Sequence, residues 1–343
     1  MIKVNKTRLS ICIPVYNFGA FIGETLESII PQVTDEVEIV VVDGASTDNT
    51  AEVIASVQRT FSQLHYYRLE KKGGIDRDMA RSVELALGEY CWLFGGDDIM
   101  MPGALANVLQ KIDRGCDIFI CESILCGKDM QPVRKHNIFS VSTERVFKLQ
   151  EKADRSAYFS SARNTAAFFS FCSSLIFKKA RWDALELDER FVGSHWAHVA
   201  RFFSMIPAGL TVMYLPEPHL YKRGENDSFL GQGMVNRYRI TIEGYDNLAN
   251  TFFGKQSTEA AHIRRTIKAE HNLKSLLDAK LICHQSGLQA DIVVLDNLAT
   301  TLYFDPIISN RACMLVYRHT PFCVLALAKP IYSFMQSYIP GVK

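Results

Sequence analysis

Apolar residues in the first hundred positions come in short unbroken runs, and each run stops at a polar cluster. Leu9-Ser10-Ile11-Cys12-Ile13-Pro14-Val15 ends at Tyr16-Asn17, and Val37-Glu38-Ile39-Val40-Val41-Val42 ends at Asp43-Gly44-Ala45-Ser46-Thr47-Asp48. Tyr90-Cys91-Trp92-Leu93-Phe94 ends in two glycines and two adjacent carboxylates, Gly95-Gly96-Asp97-Asp98. Between these runs, Ala20 to Ile30, Thr50 to Phe61 and Asp76 to Leu87 carry apolar residues at helical spacing, and Leu64 to Leu69 is a further strand-like run. Nearly continuous apolar strands separated by amphipathic helices predict an α/β fold whose doubly wound, mostly parallel sheet is covered on both faces. The later chain differs: from Phe229 to Phe253, and again from Glu259 to Gln285, helical periodicity dominates without strand-like alternation. The pattern therefore predicts an α/β domain over residues 1–228 and a helical C-terminal region over 229–343.

Length and composition narrow the class. A chain of 343 residues holds one large domain with an extension, or two domains. Its net charge of +1 creates no field that would draw nucleic acid. The nine cysteines are odd in number, form no C-x-x-C pair and fall mostly within apolar runs, a pattern that predicts reduced buried thiols. Met1-Ile2-Lys3-Val4-Asn5-Lys6 leads directly into a strand with no signal-peptide pattern, and no stretch reaches the roughly 18 apolar residues a membrane span wants. The expectation is a soluble cytoplasmic enzyme.

A parallel sheet binds its ligand at the carboxyl ends of its strands, which is where all three polar clusters fall. Neither G-x-G-x-x-G nor a P-loop follows the first strand, where Ile13-Pro14-Val15-Tyr16-Asn17 stands instead. Two neighbouring carboxylates repel unless something positive sits between them, and they suit phosphates that arrive with a divalent cation. Tyr16 can stack on a base, and Asp43 can accept from a pyrimidine N–H. The ligand expected is a nucleoside diphosphate carrying a leaving group.

Three stretches together, Ser10 to Asn17, Val42 to Thr50, and Gly88-Glu89-Tyr90 leading to Gly96-Asp97-Asp98, resemble the family 2 glycosyltransferases of the GT-A fold. Gly74-Ile75-Asp76-Arg77, Ser173-Ser174-Leu175-Ile176 and Arg223-Gly224-Glu225-Asn226-Asp227 are similar to bacterial O-antigen abequosyltransferases, over roughly residues 9–230. The resemblance implies a nucleotide-sugar half at about 9–122 and an acceptor half at about 123–228. It implies Asp43 at the base, Asp97 at the ribose, and Asp98 holding Mn²⁺ or Mg²⁺ on the diphosphate. Pro14, Tyr16, Asn17, Ala45, Arg77 and Arg223 complete the expected donor-binding set. CDP is the favoured carrier, and the acceptor it implies is an oligosaccharide on polyprenyl diphosphate at the inner face of the cytoplasmic membrane.

One departure bears on mechanism. Many members of the family place a Glu-Asp pair on a helix after the acceptor region, its Asp acting as base. Here the stretch reads Phe191-Val192-Gly193-Ser194-His195-Trp196-Ala197-His198-Val199, without a carboxylate. His195 and His198, three apart on an expected helix from His195 to Met205, are the candidates for base or metal ligand. Arg77 can equally pair locally with Asp76 or Asp78, and Arg223, Asn226 and Asp227 can close over the donor. From Arg311 to Lys343 the chain is apolar and basic with no acid, which suits either an anionic membrane surface or docking on the domain or a second subunit. A UDP- or dTDP-hexose transferase of the same fold, and a sugar-nucleotide-binding protein without turnover, are the alternatives.

Overall fold

The computed structural model describes residues 6–226 and 233–326. The chain forms two compact units, divided between residues 227 and 228.

In the first unit, β1 (Leu9–Val15), β2 (Val37–Asp43), β3 (Leu64–Arg68) and β4 (Tyr90–Leu93) are parallel and lie in the order β3-β2-β1-β4. Helices α1 (Ile22–Ile29), α2 (Thr50–Gln58) and α3 (Ile75–Glu84) connect them. All seven residues of β2 are buried, as expected of a strand covered on both faces. The expected elements of the first hundred residues are thus present, within a few residues at their ends.

Beyond β4 the sheet becomes mixed. After β5 (Ile99–Met100) and α4 (Ala104–Ile112) come β6 (Ile118–Cys126), β7 (Pro132–Lys135), β8 (Arg145–Lys148), α5 (Lys152–Ser161), β9 (Leu175–Lys178), α6 (Lys179–Asp183), α7 (Ala197–Met205) and β10 (Thr211–Lys222). β9 inserts between β4 and β6, antiparallel to both. β10 runs parallel to β6 and antiparallel to β5, pairing Tyr221 with Ile99. These two insertions decide the site, because they bring the start of β9 and the end of β10 to the tip of β4. The pattern of apolar runs contains no such information, since an apolar run does not name its neighbour.

The second unit is helical: α8 (Met234–Phe253), α9 (Thr258–Glu270), α10 (Leu273–Gln285), α11 (Gln289–Leu302) and α12 (Ile308–His319). The long periodic stretch from 259 to 285 is two helices, because Asn272 accepts from the Ser275 N–H and caps a new start. Residues 289–302, to which the sequence pattern assigns nothing, form α11. Tyr245, Leu248, Ile263, Leu276, Leu295 and Leu298 build its core. On α12, Ile308, Leu315 and Val316 are exposed. The remainder of the apolar and basic tract, 327–343, lies outside the described residues, as does Asp227.

Candidate active site

Register brings the expected clusters together. Val15 at the end of β1 stands opposite Asp43 at the end of β2, and Leu93 near the end of β4 stands beside Cys12. The loops after β1 and β2 are stitched to one another. Asn17 Oδ1 accepts from the Thr47 N–H at 2.8 Å, the Asn17 N–H donates to Ser46 Oγ at 2.9 Å, and Gly19 N–H donates to Asp48 at 3.0 Å. Asn17 and Ala45 both take left-handed backbone, at φ 59° and 65°. Pro14 lies within β1 opposite Val42. Gly96 has a packing reason: a Cβ there would come 2.7 Å from a Val15 methyl and 3.1 Å from the Phe18 ring. The glycine lets the tip of β4 press against the first loop rather than only clearing space for a ligand.

At that tip the carboxylates are braced by residues more than 70 positions away. Asp98 is buried; its Oδ2 accepts from the Ser173 hydroxyl at 2.5 Å and its Oδ1 from the Arg223 N–H at 3.0 Å. Ser173 in turn accepts from the Gly95 N–H at 2.8 Å, tying β9 to β4. Asp97 Oδ2 accepts from Asn226 Nδ2 at 2.7 Å. Burial, with the Asp97 charge beside it, pushes the Asp98 carboxyl up to about 7, and burial also raises Asp97. Neither makes an ion pair among the described residues. Two desolvated hard-oxygen donors with no cation between them fit a Mn²⁺ or Mg²⁺ ion. Among the described residues no cluster of three or more ligating side chains occurs.

Several expected site residues are held by contacts within the protein. Asp43 is 0% exposed, its oxygens accepting from the Ser46 N–H and the Tyr66 hydroxyl, each at 2.7 Å. Arg223 is buried, donating to Asp97 O at 3.0 Å, Lys128 O at 2.8 Å and Glu24 at 2.6 Å, so its guanidinium pins the carboxylate loop to α1. Arg77 pairs in bidentate fashion with Glu189 on the surface, at 2.7 and 3.2 Å, and not with its neighbours Asp76 or Asp78. Tyr16 is half-buried with the Lys72 ammonium 3.8 Å above its ring.

The histidines separate. His195 is not on the helix: it sits in a turn at φ 72°, and α7 begins at Ala197, so the two do not share a helical face. The cause is Asp76, a buried carboxylate that accepts from the N–H groups of Gly193 (2.8 Å), His195 (3.1 Å) and Ala197 (3.1 Å) and so winds the chain around itself before the helix starts. His198 lies on the first turn of α7 and is 4% exposed, with Nε2 3.0 Å from Phe169 O. A carbonyl can only accept, so Nε2 carries the proton and the lone pair is on Nδ1, which has no hydrogen-bond partner. Burial pushes this imidazole down to about 4, against the opposing pull of Asp76, so it is neutral at pH 7. Its Nε2 is also 3.9 Å from Cys172 Sγ, the residue before Ser173, which links α7 to the segment bracing Asp98.

A mixed sheet with nucleotide-type loops on a parallel half and a braced carboxylate pair at the crossover is the architecture of a GT-A glycosyltransferase. The sequence model of glycosyl transferase family 2 matches residues 10–184. The chain belongs to this family, the match covering about half of its length and a relative reinforcing it. That relative is the abequosyltransferase RfbV of Salmonella typhimurium, 34% identical over 252 residues, 72% of this chain and 76% of the relative. The GalNAc(5)-diNAcBac-PP-undecaprenol beta-1,3-glucosyltransferase of Campylobacter jejuni is 24% identical over 71% of this chain and 73% of its own. Among solved structures, S. aureus TarS 1-349 aligns with a TM-score of 0.61 at 17% identity, covering 97% of this chain and 93% of TarS. The mannosyltransferase PcManGT of Pyrobaculum calidifontis, solved with GDP-Man and Mn²⁺, aligns with a TM-score of 0.52 at 17% identity, over 96% and 84% of the chains.

Proposed function

We propose that this chain transfers a sugar, with inversion at the anomeric carbon, from a nucleoside diphosphate donor to an oligosaccharide on polyprenyl diphosphate. The observation that carries the reading is the Asp97-Asp98 pair at the end of β4 in a family 2 glycosyltransferase, its carboxyls raised by burial and in no ion pair among the described residues, although the Lys222 charge reaches both. The abequosyltransferase relative favours a dideoxyhexose such as abequose, carried on CDP, and the undecaprenyl-linked substrate in the name of the Campylobacter relative favours a lipid-linked acceptor. PcManGT, with its GDP-sugar and Mn²⁺, supports the metal.

Asp98 would hold a Mn²⁺ or Mg²⁺ ion, which when bound would offset the charge growing on the departing diphosphate. Asn226 fixes the Asp97 carboxylate for the donor ribose. Tyr16 offers its ring to the base, and the Asn17–Thr47 and Asp43–Ser46 hydrogen bonds hold the loops that surround it. The acceptor hydroxyl attacks opposite the diphosphate through an oxocarbenium-like state and gives its proton to His198 Nδ1. The Phe169 carbonyl keeps the other nitrogen protonated throughout. Negative charge on the bound diphosphate raises the basicity that burial alone would depress. Such an acceptor lies at a membrane surface, a setting that the exposed Ile308, Leu315 and Val316 of α12, with Arg311 and Arg318 on the same helix, would suit. No helix among the described residues is long and apolar enough to cross a membrane.

A thermal-shift panel tests the donor class. With Mn²⁺ present, CDP- or another nucleoside diphosphate sugar should raise the melting temperature at concentrations where free sugars and nucleoside monophosphates do not, because binding to the native state stabilises it by mass action. No shift with any nucleotide sugar would remove the reading.

A further inference from the structure

We propose that Asp78, in the first turn of α3, reads the base of the donor nucleotide by accepting a hydrogen bond from one of its N–H groups. The proposal rests on the donor reading above. Asp78 is 3% exposed; the Gly73 N–H beside its carboxyl offsets part of the burial, yet Oδ1 meets no donor at good hydrogen-bond geometry. A buried carboxylate oxygen left unmatched is costly, and such groups concentrate where a ligand completes them.

The surroundings are built to leave that carboxylate room. A Cβ on Gly44 would come 2.3 Å from Asp78 Oδ2, and one on Gly73 would come 2.7 Å from Oδ1, so a side chain at either position would push the carboxylate aside. Gly44 directly follows Asp43, which places Asp78 against the turn at the end of β2, where the family resemblance puts the base. Asp43 itself has no exposed surface, and both its oxygens are bonded within the protein. Asp78 adds to this corner a second carboxylate, whose Oδ1 is left unmatched. Burial, then the charge of Asp43, pushes the Asp78 carboxyl up to about 6, which leaves it mainly ionised and acceptor-only at pH 7.5 and above.

Lys72 closes the corner in the free protein. Its exposed side chain rests on the Tyr16 ring, and its charge reaches Asp78, pulling the carboxyl back down. A base that stacks on Tyr16 has to displace the ammonium from that ring face, and in doing so it gains access to the carboxylate behind. A carboxylate selects for edges that present N–H groups: the cytosine amino group, the uracil or thymine imide, or the guanine N1–N2 edge.

Isothermal titration of the full chain with Mn²⁺, using CDP, UDP, GDP and inorganic pyrophosphate as probes, tests the assignment. Asp78→Ala should weaken the best-bound nucleoside diphosphate by about 10- to 100-fold, the worth of a hydrogen bond to a buried charge, and leave pyrophosphate affinity unchanged. Asp78→Asn keeps the shape and one acceptor but adds a donor, so it should narrow the preference among the three bases even if the alanine variant fails to fold. Unchanged nucleotide affinity and base preference in the variants would overturn the assignment while leaving the donor reading intact. So would an equal loss for pyrophosphate and nucleotide, which would mark Asp78 as a purely structural group. Failure of the wild-type protein to bind any of the three nucleotides would overturn the donor reading and this assignment together.

Discussion

Asp98→Asn is expected to lower transfer by about 10³-fold while the ligand-free protein melts no lower than wild type. The two halves of that result have one cause. The Asp98 carboxyl is pushed up to about 7 from an ordinary 3.8, chiefly by burial and then by the Asp97 charge. The folded state therefore holds this proton more tightly than the unfolded chain. The contribution to stability is fully present below about pH 4 and is lost progressively as pH rises to about 7, above which the folded state carries a buried, repelled charge. That cost is on the order of a few kcal/mol once Asp98 is fully ionised. The amide removes it and keeps the shape: its oxygen can accept from the Arg223 N–H, and the Ser173 hydroxyl can turn to suit the other position. Wild-type protein without metal should thus lose melting temperature progressively between about pH 4 and about pH 7, with no further loss from this group above that, and the variant should lose less. Adding Mn²⁺ and nucleotide should raise the wild-type melting temperature at pH 8 and leave the variant unmoved. Retained activity in the variant, or an equal metal-dependent shift, would remove Asp98 as the ion's ligand.

His198→Ala is expected to cost about 10²- to 10⁴-fold in turnover, the usual range for a lost general base, with donor affinity nearly preserved. The variant also loses the Nε2–H···O=C bond to Phe169 and leaves a small cavity, so some loss of stability accompanies it. A split between turnover number and donor affinity separates the chemical role from that structural one. Loss of donor and metal binding together would recast His198 as a metal ligand. Near-normal turnover would remove both roles and turn attention to Glu225, in the loop after β10. His195→Ala is the informative control. Since His195 stands in the turn wound around Asp76, not on the face of α7, it should affect turnover far less than His198→Ala does.

Much of the nucleotide half was legible because its physics is local. A parallel strand covered on both faces must be apolar almost throughout, so β1, β2 and β4 read directly as strands, and their polar ends read as the rim of a cleft. The Asp97-Asp98 pair stood out because nothing in a packed sheet needs two adjacent carboxylates. What the sequence concealed depends on partners far along the chain. Asp76 reads as an ordinary first-turn helix acid, yet its carboxylate organises a turn 117 to 121 residues away. Arg223 reads as a free cation in a glycine turn, but in the fold it spans from Glu24 to Lys128 and becomes a brace. Ser173 gave only the resemblance as a signal, because its role exists only once β9 has inserted beside β4. Asp78 reads as a charge flanking Arg77; the two glycines that precede its helix and the glycine after Asp43 are the traces of its packing.

Asp98, with a divalent ion, is proposed to assist departure of the nucleoside diphosphate as its sugar passes to a lipid-linked acceptor. Release of nucleoside diphosphate from a panel of sugar nucleotides, measured with the polyprenyl-diphosphate oligosaccharide in vesicles, tests it most directly. The account predicts release that needs the acceptor, stops on chelation of the metal, returns with Mn²⁺ or Mg²⁺, and is absent in Asp98→Asn. Acceptor-dependent release that persists with the metal removed, or in the Asp98→Asn variant, would contradict it.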